Sequence, residues 1–396
     1  MSDILSRLKA LGVSKGMPEG PKQQEKKPSD QMDSLLKTFP NGIVVENDHG
    51  LCFINRLTQP LSQKHGRVAM TGELKSSPLF DSMVEMQLSD KRDTLAFDTE
   101  TSGLSNGSGS FIFMLGLGYF ENDQYVVDQL ILPDLSSEGA FLRQTELIFS
   151  KFPILLSYNG KSFDIPMLQS RLHFHMFPDF TKEVVHCDLL KLTRRYWKQA
   201  LGTVPLSNIE HYVLKLQRGD EEVPGYLAPE LYRDFLRDGD ASHIAGVAYH
   251  NQIDVVSLSA FLLYFNDLVI QAESDPSLWK EHSVSETAVR RHNMDLFSDG
   301  SLVSTEGFTV REKRALAAKM LDRGNAEKAL EIYSDLVESG DYASAEKAMK
   351  ICLKTKDIDR FEEYRCLAIK LLEEDQTIGK WSRIDKLGKL KALTQK

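Results

Sequence analysis

The chain has 396 residues, of which 41% are hydrophobic and 27% charged, and its formal net charge at pH 7 is −9. This length predicts two or three domains, and the negative charge excludes a protein coated in basic surface, though not a local basic site for nucleic acid. The four cysteines form no C-x-x-C pair, which argues against a zinc knuckle. No signal peptide and no membrane span of about 18 apolar residues is evident, which predicts a cytoplasmic protein without a membrane partner.

The first 93 residues are divided into two predicted segments. Residues 1–37 contain GMPEGPKQQEKKPSDQ, which can bury little apolar surface and predicts a flexible segment. Residues 38–93 contain GIVVEN and LCFINRL around the turn DHG, which predict two short strands in an N-terminal extension.

From residue 94 the pattern is that of an α/β domain, predicted over 94–270. Strands come first and then alternate with helices, which predicts a mixed sheet flanked by helices. The strands are predicted at 94–100, 111–120, 125–132 and 154–158. The helices are predicted at 139–151, 162–173, 188–198, 206–216, 229–237 and 241–268.

The remainder is predicted to be a linker, 271–304, and an all-α module, 305–396. Its first four helices are predicted roughly at 311–323, 325–338, 342–354 and 358–374. RGNAEKAL and SGDYASAEKAM each place Gly with Asn or Asp at a turn and Ala at packing positions, a pattern similar to tetratricopeptide-type repeats. Such a module could bind a protein partner. Its basic tail is either a solvated helix or a weak nucleic-acid contact.

The stretch TLAFDTETSG, residues 94–103, places two acids on a predicted strand. Asp98 and Glu100 are two positions apart, so their side chains lie on the same face of a strand. Two like charges so close are unfavourable unless a cation lies between them. For this pair alone, an acidic turn at the end of a strand is the alternative.

Further acids follow at Asp164 and Asp254. Asp164, in SYNGKSFDIPML, falls in the first turn of a helix, where a carboxylate is also favoured as a cap. His250 and Asp254, in HNQIDVVSL, are four residues apart on an apolar helix and share a face; an ordinary core histidine is the alternative for His250. Together the four acids supply the oxygen ligands that a site for two Mg²⁺ or Mn²⁺ ions needs.

Five motifs occur in a characteristic order: FDTETSGL, SYNGKSFDIPML, HCDLLKLTRRYWK, VPGYLAPELYRDFLRDGD and HNQIDVVSL. They resemble the YprB-like, ribonuclease-H-like domain proteins of the DnaQ-like exonuclease superfamily, over about residues 94–268. The resemblance implies a ribonuclease-H-like fold and a two-metal 3′-to-5′ exonuclease centre. The implied ligands of the two divalent ions are Asp98, Glu100, Asp164 and Asp254.

The resemblance also implies roles for neighbouring residues. His250 would take the proton from the attacking water as general base. His250 lies four residues before Asp254, the position at which the Tyr-type members carry tyrosine. Tyr249 lies five residues before it, the position at which the His-type members carry histidine. A share of this role for Tyr249 therefore stays open. The residues expected to bind the nucleic acid are Thr99, Asn159, Lys161, Arg194 and Arg195. Tyr196 and Trp197 offer rings for stacking unpaired bases, with inward packing as the alternative.

Two other functions stay open at this point. The chain could be a scaffold that binds nucleic acid weakly and a protein through its helical module, but the complete set of acids favours an enzyme. An endonuclease on the same fold is the second alternative. The sequence does not distinguish a DNA from an RNA substrate.

Overall fold

The computed structural model describes residues 30–103, 109–219, 223–299, 308–374 and 380–392. The chain divides into two compact units. Unit 1 comprises Met1–Glu73, Asp90–Lys191 and Pro205–Tyr264, and unit 2 comprises Leu74–Ser89, Leu192–Val204 and Phe265–Lys396. The flexible segment predicted at 1–37 lies outside the described residues, except for 30–37. Those residues belong to a helix that buries Met32 and Leu35.

The strands all belong to unit 1. They are β1 (Gly42–Asn47), β2 (Gly50–Pro60), β3 (Lys64–His65), β4 (Val68–Ala69), β5 (Thr94–Thr101), β6 (Ile112–Glu121), β7 (Gln124–Ile131), β8 (Ile154–Ser157) and β9 (Val185–Asp188). Within the described ranges, seven form one sheet in the order β1-β2-β7-β6-β5-β8-β9, and β3 pairs with β4. Because β5 pairs antiparallel with β6 and parallel with β8, the sheet is mixed, as the sequence predicts.

The helices lie in both units and are numbered in chain order. They are α1 (Asp30–Thr38), α2 (Pro78–Val84), α3 (Glu138–Phe149), α4 (Asp164–Phe174), α5 (Leu189–Tyr196), α6 (Lys198–Leu201), α7 (Leu206–Asn208), α8 (Ala228–Asp238), α9 (Ala245–Ser274), α10 (Ser277–Glu281), α11 (Glu286–Asp299), α12 (Val310–Asp322), α13 (Ala326–Glu338), α14 (Tyr342–Thr355), α15 (Ile358–Glu374) and α16 (Lys380–Ala392). A π-helix at Ile209–Leu214 follows α7.

The structure differs from the predicted elements of the α/β region at three points. Strands β1 and β2 are not separate from the sheet, because β2 pairs with β7 over eight residues. Strand β9 was not predicted. The helix predicted at 206–216 is a short α-helix that continues as the π-helix, and Lys215, with a left-handed φ of 56°, ends it. The four predicted strands from residue 94 onward are confirmed within one or two residues.

Unit 2 is all-helical in its described C-terminal part, which confirms the predicted fold class of this region. Its core includes the small residues Ala329, Ala345 and Ala348. The predicted glycine turns are present, with left-handed φ values of 83° at Gly324 and 93° at Gly340. Three helices occupy parts of the predicted linker 271–304: the end of α9, then α10 and α11. The tetratricopeptide-like character and the domain boundaries stay predictions.

The stretch Ala241–Ser274 is long and apolar enough to cross a membrane, with a mean hydropathy of 1.7. However, 72% of the apolar window is buried inside the fold. Long buried helices of this kind also occur in the cores of folded domains. The α-helical part of this stretch, α9, supplies part of the site described next.

Candidate active site

Strand β5 carries two of the four predicted acids in the middle of the sheet. The strand continues to Thr101, so Asp98 and Glu100 both lie within it, and Glu100 is buried. Phe97, which directly precedes Asp98, packs against α3, and its ring centroid lies 5.8 Å from that of Phe149. Because successive side chains of a strand point to opposite faces, both carboxylates are directed to the other face of the sheet.

Helix α9 can lie close to that face because β6 has glycines beside the acids. Gly116 is the partner of Asp98 in the β5–β6 register. A Cβ atom on Gly116 would lie 2.2 Å from Oδ1 of Asn251, and one on Gly118 would lie 2.4 Å from Cγ1 of Val255. A side chain at either glycine would therefore push α9 away from the sheet.

Asn251 of α9 is a buried partner of Asp98 to which the sequence assigned no role. Its Nδ2 donates to Oδ2 of Asp98 at 3.0 Å and to the Asp98 carbonyl oxygen at 3.2 Å. Gln129 Nε2 donates to Oδ1 of Asn251 at 3.1 Å, and Asn55 Nδ2 donates to Oε1 of Gln129 at 2.8 Å. Since all three amides are buried, this chain of hydrogen bonds fixes which end of Asn251 faces the carboxylate.

Asp164 is brought to the same strand by the turn between β8 and α4. It is the first residue of α4, and the Thr99 hydroxyl donates to its Oδ1. A Cβ atom on Gly160 would lie 2.3 Å from Oγ of Ser157 and 3.3 Å from Oδ2 of Asp164. The turn therefore needs a glycine at this point to let the Asp164 carboxylate approach.

Asp188, at the end of β9, holds the backbone of the same turn. Its Oδ1 accepts from the backbone N–H of Asn159 at 2.7 Å, and its Oδ2 accepts from that of Lys161 at 3.3 Å. Asn159 has a left-handed φ of 69°, a conformation that these bonds hold in place. Asp188 also helps to raise the pKa of Asp164, so it is a fifth acid of the site. It was missed because β9 was not predicted.

Helix α9 carries His250 and Asp254 on one side. The helix is continuous over Ala245–Ser274, and Nε2 of His250 lies 3.6 Å from Oδ2 of Asp254. The Tyr249 hydroxyl instead accepts a hydrogen bond from the backbone N–H of Gly219 at 3.4 Å. His250 is therefore the residue that lies beside the acid.

The acids of the site disfavour one another's ionised forms. Burial raises the pKa of Asp98 well above its usual range, and the charges of Asp254 and Asp164 raise it further. Burial and the same two charges also raise the pKa of Glu100 well above its usual range. Burial raises the pKa of Asp164 to about 6, although the hydrogen bond from Thr99 opposes this shift. The site thus brings together more carboxyl groups than its own donors keep ionised.

Arg218 is a second residue of the site to which the sequence assigned no role. Its guanidinium binds Glu210 through two hydrogen bonds of 2.7 Å and also contacts Oδ1 of Asp254. Its Nη1 lies 3.0 Å from Nδ1 of His250. Because a guanidinium can only donate, Nδ1 of His250 is the accepting nitrogen here, and a neutral ring then carries its proton on Nε2.

Comparison with known proteins agrees with this architecture. Residues 95–265 match the family model of the RNase H superfamily. These residues form a ribonuclease-H-like domain. The chain is also 35% identical, over 239 residues, to the uncharacterized protein YprB of Bacillus subtilis (strain 168). That match covers 59% of this chain and 56% of YprB, so the chain spans little more than half the length of this relative.

A solved structure is similar at lower identity. It is the family B DNA polymerase from the hyperthermophilic archaeon Pyrobaculum calidifontis, with a TM-score of 0.37 and 15% sequence identity. The likeness covers 55% of this chain and 31% of the polymerase.

The donor chemistry of the ribonuclease-H-like domain suits Mg²⁺ or Mn²⁺, because its acids offer hard oxygen ligands. Within the described ranges, no group of three or more His, Cys, Asp or Glu side chains is arranged to hold a metal ion. Three of the carboxylates instead each accept a hydrogen bond from the protein: Asp98 from Asn251, Asp164 from Thr99 and Asp254 from Arg218. The residues therefore fit divalent ions in ligand type and in the number of carboxyl groups, whereas in this structure three of them are bound to protein donors.

The predicted substrate-binding residues fall into two groups. Thr99, Asn159 and Lys161 belong to the ribonuclease-H-like domain, and the Lys161 side chain is exposed beside the Asp164 turn. Arg194 and Arg195 belong to unit 2, where Arg194 is exposed and Arg195 lies 3.4 Å from Oε1 of Glu85.

Of the two interpretations of Tyr196 and Trp197, the structure supports inward packing and not base stacking. Both side chains are fully buried, and both rings pack against Phe265 at centroid distances of 5.8 and 5.6 Å. The alternative, inward packing, is correct because the two rings supply core volume in unit 2.

Proposed function

We propose that the chain is a metal-dependent nuclease that hydrolyses phosphodiester bonds of nucleic acid, and that it acts as a 3′-to-5′ exonuclease with two divalent ions. The observation that carries this proposal is the convergence of Asp98, Glu100, Asp164 and Asp254 within a ribonuclease-H-like domain. Burial and the charges of Asp254 and Asp164 disfavour the ionised forms of Asp98 and Glu100, an effect that bound cations would relieve. When bound, Mg²⁺ or Mn²⁺ supplies the positive charge that phosphodiester hydrolysis needs.

The chain's own residues are proposed to position the substrate. Lys161 would neutralise a phosphate, and Asn159, held by Asp188, would donate to the end of the strand. Two exposed rings lie near the site: Phe163, 54% exposed, precedes Asp164, and Tyr226, 69% exposed, follows Gly225, whose backbone lies near His250. Exposed rings can stack on unpaired bases, which favours a single-stranded end as the substrate.

His250 is proposed to act on the attacking water or on a phosphate oxygen. A Cβ atom on Gly225 would lie 3.4 Å from Nε2 of His250, so this nitrogen lies near the backbone that precedes Tyr226. With Nδ1 accepting from Arg218, Nε2 carries the proton and would donate to a phosphate oxygen. The general-base role stays a prediction that requires Arg218 to release Nδ1.

The test is a cleavage assay with the full chain on four 5′-labelled substrates, single- and double-stranded DNA and RNA. Each is incubated with Mg²⁺, Mn²⁺ or a chelator, and circular single strands are included beside the linear ones. We expect metal-dependent shortening of linear strands from the 3′ end, with circles intact. Asp98→Asn serves as the inactive control, because contaminating nucleases do not respond to it.

Cleavage of circles would contradict the exonuclease and favour an endonuclease on the same fold. No metal-dependent cleavage of any substrate, together with binding of the labelled strands, would favour the nucleic-acid-binding scaffold. A protein partner for the helical region and a cytoplasmic location stay predictions from the sequence.

A further inference from the structure

The guanidinium of Arg218 lies between a buried carboxylate and the acidic site. On one side, Nε and Nη2 bind the two oxygens of Glu210, whose side chain is 2% exposed. On the other side, the same guanidinium contacts Asp254 and His250. One permanent positive charge is thus shared between two carboxylates, only one of which belongs to the predicted metal ligands.

A buried network holds Glu210 in place behind Arg218. The Ser257 hydroxyl donates to Oε1 of Glu210 at 2.5 Å, and Nε2 of His65 lies 2.7 Å from that hydroxyl oxygen. Because Ser257 uses its proton on the carboxylate, His65 must be the donor to its oxygen. Burial lowers the pKa of His65 to about 4, so a neutral ring adds no second cation to the network.

Backbone hydrogen bonds also hold the turn that precedes Arg218. The π-helix that carries Glu210 ends at Leu214, and the Leu216 N–H donates to the Glu210 carbonyl oxygen at 2.9 Å. The hairpin of β3 and β4 supports this turn, since the Arg67 N–H donates to the Leu214 carbonyl oxygen at 2.8 Å. A side chain held this firmly is not an ordinary surface arginine that happens to reach an acid.

We infer that Arg218 is a built-in cation of the acidic site that competes with divalent ions for Asp254 and thereby sets how tightly the free protein binds them. The inference rests on the proposed function, because it takes Asp254 as a metal ligand. An ion near Asp254 meets the repulsion of the guanidinium, and it must compete for Oδ1. Metal loading is therefore weak in the free protein and improves when a nucleic-acid phosphate adds negative charge to the site.

The test is a titration of the full chain with Mn²⁺ alone, without nucleic acid, followed by calorimetry. Arg218→Gln removes the charge and is expected to tighten Mn²⁺ binding by roughly tenfold. Arg171→Gln is the matched control. Arg171 also binds a buried glutamate, Glu138, through two hydrogen bonds of 2.6 Å. Its side chain is 10% exposed, and that of Arg218 is 11% exposed. This control is expected to leave the Mn²⁺ affinity of the folded protein unchanged.

A second variant covers the case in which Arg218→Gln does not fold because Glu210 is left buried and unpaired. The double variant Glu210→Gln with Arg218→Gln leaves no unpaired buried charge there and still frees Asp254. It is also expected to bind Mn²⁺ more tightly than the unaltered chain.

The outcomes separate the inference from the proposed function. If the unaltered chain binds Mn²⁺, and a folded Arg218 variant binds it equally well or more weakly, the inference is overturned while the metal site stands. If neither the unaltered chain nor the variants bind Mn²⁺, the metal site of the proposed function is overturned and the inference with it.

Discussion

Two clusters in unit 1 combine arginine, glutamate and histidine in different ways. In the first, Glu138 accepts two hydrogen bonds from Arg171, and Nε2 of His175 lies 2.8 Å from the same carboxylate. In the second, Arg218 binds Glu210 but is shared with Asp254, and the histidine contacts the arginine. The first cluster balances its carboxylate locally, whereas the second leaves one guanidinium to serve two carboxylates.

The difference separates a structural from a functional use of buried charge. Arg171 also lies over the Phe174 ring, 4.5 Å from its centroid, and its bonds to Glu138 join the last turn of α4 to the first residue of α3. The second cluster adjoins three more acids whose pKa values are raised. A fold that tolerates such repulsion gives up stability that another cation can restore.

The largest expected effect is on catalysis at the acidic site. Asp98→Asn should abolish metal-dependent cleavage, because it removes a predicted ligand. It should leave the melting temperature of the metal-free protein unchanged or higher, since it relieves repulsion from Asp164 and Asp254. Cleavage assays and thermal unfolding in chelator measure the two quantities. A marked fall in melting temperature would indicate a structural cap and not a metal-binding strand.

The two histidines provide the next contrast. His250→Ala should lower kcat by roughly 10²–10⁴, the range for a side chain that takes part in proton transfer. His175→Ala, in the other cluster, should leave kcat unchanged per folded molecule. Single-turnover rates at saturating Mg²⁺ measure both effects. Equal losses in the two variants would mean that His250 acts only through the stability of the fold.

The first cluster, of Glu138, Arg171 and His175, should contribute to the stability of the fold and not to activity. Arg171→Gln leaves the Glu138 carboxylate buried without its main partner and should lower the free energy of unfolding by about 3–5 kcal/mol. Urea unfolding measures the loss, with cleavage rates corrected for the folded fraction. A specific fall in activity beyond that correction would contradict the division between the two clusters.

The smallest effect concerns pH in the metal-free protein. The pKa of Asp164 is raised to about 6 in the fold, so the folded chain holds this proton more tightly than the unfolded chain, in which an aspartate titrates near 3.9. This carboxyl therefore adds stability as pH falls through 6 and loses that contribution as pH rises. When the pH is lowered from 7.5 to 5 in chelator, the free energy of unfolding of the unaltered chain should rise by about 1–2 kcal/mol relative to that of Asp164→Asn. A difference independent of pH would show that Asp164 does not titrate in this range.

Local patterns of the sequence predicted the parts of the site that lie on regular elements. The i, i+2 spacing of Asp98 and Glu100 predicted a shared strand face, and β5 does continue through both residues. The i, i+4 spacing predicted that His250 and Asp254 lie together, and the continuous helix α9 keeps them 3.6 Å apart. These predictions depend on backbone periodicity alone, which acts over one or two turns.

Only the tertiary structure decided which other residues complete the site. Arg218 reaches Asp254 from a segment that follows a π-helix, and no local period links the two positions. Asn251 contacts Asp98 because glycines on β6 let α9 approach the sheet. Tyr196 and Trp197 are buried although their segment is rich in charge. Such contacts join residues far apart in the chain, and they are set by the packing of whole elements and not by the preference of any short stretch.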